Sequence, residues 1–209
     1  MLKEYLQKNY IPLQPILFSD LMELGISKSN LSQQLSKLCK KGELVKYDKG
    51  IYYLPKKTRL SQNVVPSGKS IAEAKYLFNK GKVYGYYSGN TFANLIGIST
   101  QVPQKLEIVT NNISAKYKEE QIGRQLFIIR KTRVPITDKN VRVVQVVDLL
   151  NNLESYLDDG NLDNAKNQLQ KYIKNNQITK EDVDRVIFHF PDKVFKIFYE
   201  LRLEDVFTH

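Results

Sequence analysis

Residues 28–55 read KSNLSQQLSKLCKKGELVKYDKGIYYLP. Leu31, Leu35, Leu38 and Cys39 recur at i, i+4, i+7 and i+8, the spacing of one buried helix face. Ser27 stands where an N-cap belongs, and Lys40 and Lys41 fall in the last turn, where cations suit the helix dipole. Gly42 ends the run. Leu44 and Val45 then start one strand, and Ile51–Leu54 form a second. Asp48-Lys49-Gly50 between them is a turn signal, with glycine free to take positive φ, and Pro55 ends the pairing. Upstream, residues 1–8 place Leu2, Tyr5 and Leu6 on one side of a helix, broken by Pro12 and Pro15. FSDLMELG suggests another short helix over Asp20–Leu24, capped by Ser19 and closed by Gly25. Helix, helix, helix, hairpin is the order of a winged helix-turn-helix.

The free side of the third helix then explains itself. It carries Lys28, Ser29, Asn30, Ser32, Gln33, Ser36, Lys37 and Lys40, and no acid. In a helix-turn-helix the second helix lies in the major groove and meets base edges. Asn and Gln pair with adenine, Lys reaches guanine, and Ser bonds base or phosphate. An acid there would repel phosphate. The hairpin adds Lys46, Tyr47 and Lys49 near its tip, and Lys56, Lys57 and Arg59 continue the basic stretch. The same elements also suit a protein-interaction module, with the helix merely solvated.

The charge supports a polyanionic partner. The chain has 209 residues and a formal net charge of +10. Residues 1–59 hold 11 Lys/Arg against 5 Asp/Glu, residues 60–147 hold 13 against 5, and residues 148–209 hold 8 against 12. A basic body with an acidic tail fits nucleic acid for the first two segments, although a lysine-rich proteome would raise every such balance alike. No apolar run approaches the roughly 20 residues of a membrane helix. MLKEYLQKNYIPLQ lacks the apolar core of a signal peptide, and the one cysteine, Cys39, excludes an internal disulfide. A soluble, cytoplasmic protein is expected, with no membrane contact.

Beyond the hairpin, residues 56–67 read as a linker and 68–80 as a helix stopped by Gly81. Strands are expected at 82–87, 105–110, 113–118 and 124–134, and helices at 88–97 and 145–157, giving a mostly antiparallel sheet in an α+β middle. From residue 143 onward the spacing is helical to the end. Thr179 with Asp182 resembles a capping arrangement, and Pro191 opens the last helix. The fold class is therefore α+β: a winged helix-turn-helix over 1–58, an α+β domain over 66–150, and an acidic helical segment over 151–209.

Several constellations fail. PSGKS at 66–70 ends like a phosphate-binding loop, but the glycine expected five residues before Gly68 is Asn63, and no strand precedes it. Gly85, Gly89 and Gly97 lack dinucleotide spacing. His189 and His209 are the only histidines, too few and too scattered for a metal centre. Asp158-Asp159 reads as a helix end and loop. Glu107 has no Glu-x-Lys pattern after it, and Ser99-Thr100-Gln101 has no nearby histidine. No catalytic set, cofactor or metal is expected.

SGNTFANLIGISTQVPQKLEIVTN, residues 88–111, resembles a signature of AbiE-type antitoxins, and 29–55 resembles their winged helix. The likeness covers roughly residues 15–150, most specifically Gly97–Pro103, and leaves 151–209 unmatched. It implies a regulator in a two-gene, type IV toxin–antitoxin operon linked to phage defence. The winged helix would bind double-stranded DNA at the operon's own promoter, and the second domain would counteract a nucleotidyltransferase-like toxin. Ser88, Asn90, Thr100 and Gln101 are the antitoxin-domain candidates; their plainer role is to cap helices and order a loop. The competing functions are a ligand-responsive winged-helix regulator without a toxin partner, and an enzyme acting on nucleic acid.

Overall fold

A computed structural model describes residues 2–56 and 64–207. Lys57, Arg59, Asn63 and His209, and most of the expected linker, lie outside the described residues. The chain is mixed α+β and forms two compact units, 1–75 and 76–209.

The first unit opens with α1 (Leu2–Asn9), β1 (Ile16–Leu17), α2 (Phe18–Met22) and α3 (Lys28–Lys40). The hairpin β2 (Val45–Asp48) and β3 (Ile51–Tyr53) follows, and β1 pairs antiparallel with β3, giving sheet order β1-β3-β2. Leu2, Leu6, Ile16, Leu21, Leu31, Leu35 and Leu44 form one buried core. Each fully buried leucine contributes roughly 1.5–3 kcal/mol over an exposed one. Ser27 caps α3, its hydroxyl accepting the Asn30 N–H. The cap expected at Ser19 is not formed. Because Leu17 is held in β1 and the Phe18 N–H donates to Gly50 O at 2.8 Å, α2 starts at Phe18, and Ser19 meets its neighbour Asp20 instead.

α4 (Gly68–Tyr76) stops four residues before the end expected for it, because Phe78–Asn79 (β4) turns back onto Lys82–Val83 (β5). The main sheet of the second unit has the order β6-β7-β9-β8: Gly85–Tyr87 (β6), Lys105–Thr110 (β7), Tyr117–Ile122 (β8) and Gln125–Lys131 (β9). Its outer pairs are antiparallel, but β7 and β9 run parallel at the centre. The strand expected at 113–118 lies at 117–122, since the chain bends at 111–112 and 114–116.

α5 (Gly89–Leu95) and α6 (Val141–Leu150) join this sheet to α7 (Leu162–Asn175), α8 (Lys180–Ile187) and α9 (Asp192–Glu200). α6 is buried at nine of its ten positions, so it has no free face and sits at the centre of the core. The segment set apart at 151–209 shares that core: Phe92 of α5 meets Tyr172 of α7 edge-on, with ring centres 5.1 Å apart. Thr179 and Asp182 form a complete capping box on α8.

Candidate nucleic-acid interface

The apolar stripe of α3 sets what the rest of the helix presents. Leu31 and Leu35 are buried and Leu38 and Cys39 half-buried, so the helix is fixed in rotation. Lys28, Ser29, Asn30, Ser32, Gln33, Ser36, Lys37 and Lys40 are all exposed. Ser32, Gln33, Ser36, Lys37 and Lys40 line one shallow open depression. Asn30 accepts a hydrogen bond from Gln34 at 3.1 Å. Among the described residues, no hydrogen bond or ion pair engages the side chains of Lys28, Ser29, Ser32, Gln33, Ser36, Lys37 or Lys40. The first turn of α3 contains no acid.

The neighbouring acids are occupied. Lys3 pairs with Glu43 at 2.7 Å, which holds the Glu43 carboxyl below the usual carboxylate range. The Asp48 carboxylate accepts the Lys49 N–H at 2.6 Å, within the hairpin turn. Lys46 and Lys49 are exposed and Tyr47 is half-buried. The β2–β3 register shifts between Lys46 and Asp48, so Tyr47 sits in a bulge, a device that re-aims side chains at a strand end. Burial pushes the Cys39 thiol up, which fits a core residue rather than a nucleophile.

One family model, described as a family of unknown function (DUF6088), matches residues 7–183, from α1 into α8. The chain belongs to the DUF6088 family. No curated protein matches it.

The four second-unit candidates of this DUF6088 member do not converge. Ser88 and Asn90 lie at the start of α5 and Thr100 and Gln101 beyond its end, about 10 Å away by helix rise alone. Ser88 is the N-cap residue, yet its hydroxyl makes no cap bond: it accepts from Arg130 at 3.0 Å. Glu107 caps in its place, its carboxylate accepting the Asn90 N–H at 2.9 Å. Gly89 has φ +53°, and a Cβ there would fall about 2.2 Å from that carboxylate, so no side chain fits.

Arg130 also pairs with Asp148 at 3.4 Å, and the Asp148 side chain is 5% exposed. Burial holds the Asp148 carboxyl above its ordinary range, while Arg130 and Arg133 pull it down. At the far end of α5, the Asp158 carboxylate accepts from Ser99 Oγ at 2.7 Å, Thr100 N at 2.5 Å and Thr100 Oγ1 at 2.7 Å. Those bonds hold it below the usual range. Gln101 donates its N–H to Ser99 Oγ, and its side chain is exposed. The Ser-Thr-Gln run is thus a loop staple. Glu107, Arg130, Asp148 and Asp158 carry no local spacing signal, because their partners lie 17 to 59 residues away. Among the described residues no group of three His, Cys, Asp or Glu is placed to hold a metal ion, and no helix is long and apolar enough to cross a membrane.

Proposed function

We propose that the first unit is a winged helix-turn-helix that binds duplex DNA, with α3 as the reading helix and the β2–β3 hairpin as the wing. One observation carries this: α3 is fixed by buried leucines, and its exposed residues carry only amide, hydroxyl and ammonium groups. The order of α1, α2, α3 and hairpin, with β1 closing the small sheet, is the arrangement such a module needs. Asn30 and Gln33 are assigned to base edges, and Lys28, Ser29, Ser32, Ser36, Lys37, Lys40, Lys46, Tyr47 and Lys49 to bases or backbone. Neutralisation of five phosphates by Lys28, Lys37, Lys40, Lys46 and Lys49 would contribute about −4.5 to the log–log salt slope. The test is a mobility shift on the DNA upstream of the reading frame, at two salt concentrations. Replacing Lys28, Gln33 and Lys37 together should abolish the shifted band at the higher salt. Binding that survives this replacement unchanged would remove α3 from the interface.

We further propose, on the likeness of 88–111 to AbiE-type antitoxins, that the chain represses its own operon and counteracts a nucleotidyltransferase-like toxin, acting by binding rather than by catalysis. A toxin-like reading frame next door, with growth restored on co-expression, is the expected result. An orphan gene and a small molecule that releases the DNA would instead favour the ligand-responsive regulator.

A further inference from the structure

The second unit gathers cations from separate stretches of sequence at one end of its main sheet. The Lys131 N–H donates to Lys116 O at 3.1 Å, which carries the β8–β9 register one step beyond Tyr117 and Arg130. Lys116 therefore stands directly opposite Lys131 on the same face. Like charges so placed destabilise a sheet, so packing gives no reason for the pair. Arg133 follows two residues on, its guanidinium 5.9 Å from the centre of the Phe190 ring. Thr132 N donates to Thr110 O, and Asn111 clamps Ile136 through two hydrogen bonds at 2.8 and 3.0 Å, which fixes the 131–139 loop against the end of β7. Lys139 completes the set.

Lys116, Lys131, Arg133 and Lys139 are all exposed. Among the described residues, no hydrogen bond or ion pair engages the side-chain ammonium groups of the three lysines. Segments 110–116 and 131–139 contain one acid, Asp138, and its carboxylate is engaged by the Val83 N–H at 2.9 Å. The candidates elsewhere are weaker. The polar cleft between Asn151–Ser155 and α9 holds acids and lysines together, with no net preference for a ligand. The exposed Phe188, which meets the half-buried Phe195, has nothing beside it to identify what would cover it.

We propose that the rim formed by Lys116, Lys131, Arg133 and Lys139 is a second contact with the phosphate backbone of duplex DNA, separate from α3. This rests on the DNA-binding reading of the first unit and adds a sequence-independent contribution to it.

The test measures the full chain's affinity for a duplex covering its own upstream region between 50 and 200 mM salt. In the Lys116→Gln/Lys131→Gln/Lys139→Gln variant the slope should be shallower by about 2.7, so that its deficit is about 40-fold larger at 50 mM than at 200 mM. A Lys37→Gln/Lys40→Gln variant of α3 should lose about 1.8 independently. Thermal melts keep the comparison fair: Lys116→Gln alone should melt no lower than the wild type, because it removes a like-charge pair. If the triple variant loses structure, the Lys116→Gln and Lys131→Gln single variants give about 0.9 each. A wild-type slope in the folded rim variants overturns the inference, and the α3 variant then reports whether the first unit's reading stands alone. A wild type that ignores duplex DNA overturns both, and tighter binding of single-stranded RNA overturns the choice of duplex.

Discussion

Replacing Arg130 with Met leaves the Asp148 carboxylate almost wholly buried without its nearest counter-charge. The side chain of Asp148 is 5% exposed and that of Arg130 is 30% exposed, so the carboxylate rather than the guanidinium carries the desolvation cost. Removing one partner of a buried pair typically costs 3–5 kcal/mol. Arg133 and the Tyr86 hydroxyl remain near Asp148, which places the expected loss at the low end, about 3 kcal/mol. For a unit of this size that is a fall of about 10 °C in Tm. The loss should depend on pH. Burial already holds the Asp148 carboxyl above its unfolded value. A group raised in this way favours folding at low pH and withdraws stability as pH climbs through the folded pKa. Without Arg130 the folded pKa rises further and the decline extends to higher pH. The deficit should therefore be smallest near pH 4 and full at about pH 8. Urea and thermal melts followed by circular dichroism across that range measure it. Adding Asp148→Asn should recover most of the loss by removing the stranded charge. A deficit below about 1 kcal/mol, or one that does not vary with pH, would refute the claim that Arg130 compensates a buried charge.

Three further outcomes are expected. Leu35→Ala, at a position 1% exposed, should cost about 3 kcal/mol and weaken DNA binding at temperatures where the first unit melts; unfolding curves monitored beside a mobility shift will show whether the two fall together. Gly89→Ala must displace the Glu107 carboxylate from the α5 N-terminus and strain a backbone at φ +53°, so it should destabilise by about 2 kcal/mol, whereas Gly25→Ala meets open space and bears only the backbone cost. Because its bonds to Thr100 and Ser99 depress the Asp158 pKa, the staple should be intact above the ordinary carboxylate range and loosen as pH falls through the depressed value; faster amide exchange at 99–101 at low pH, absent from Asp158→Asn, would report it.

The proposed interface was largely legible because its determinants are local. Ser27 lies three residues from the N–H it caps, the leucines of α3 repeat at the helical period, and Asp48-Lys49-Gly50 spans its own turn. The capping box at Thr179 and Asp182 obeys the same rule. Ser19 shows its limit: its spacing suits a cap, but pairing of β1 with β3 holds Leu17 extended and starts the helix at Phe18, which leaves Ser19 inside it. In the second unit the tertiary structure decided more. The parallel β7–β9 pair, the Glu107 cap, the Arg130–Asp148 pair, the Asp158 staple and the facing Lys116 and Lys131 all join residues far apart in sequence. A residue's spacing to its neighbours sets its helix or turn, because those bonds close within a few residues. Which distant group then satisfies a polar side chain depends on how sheets and helices stack, and no periodicity records that.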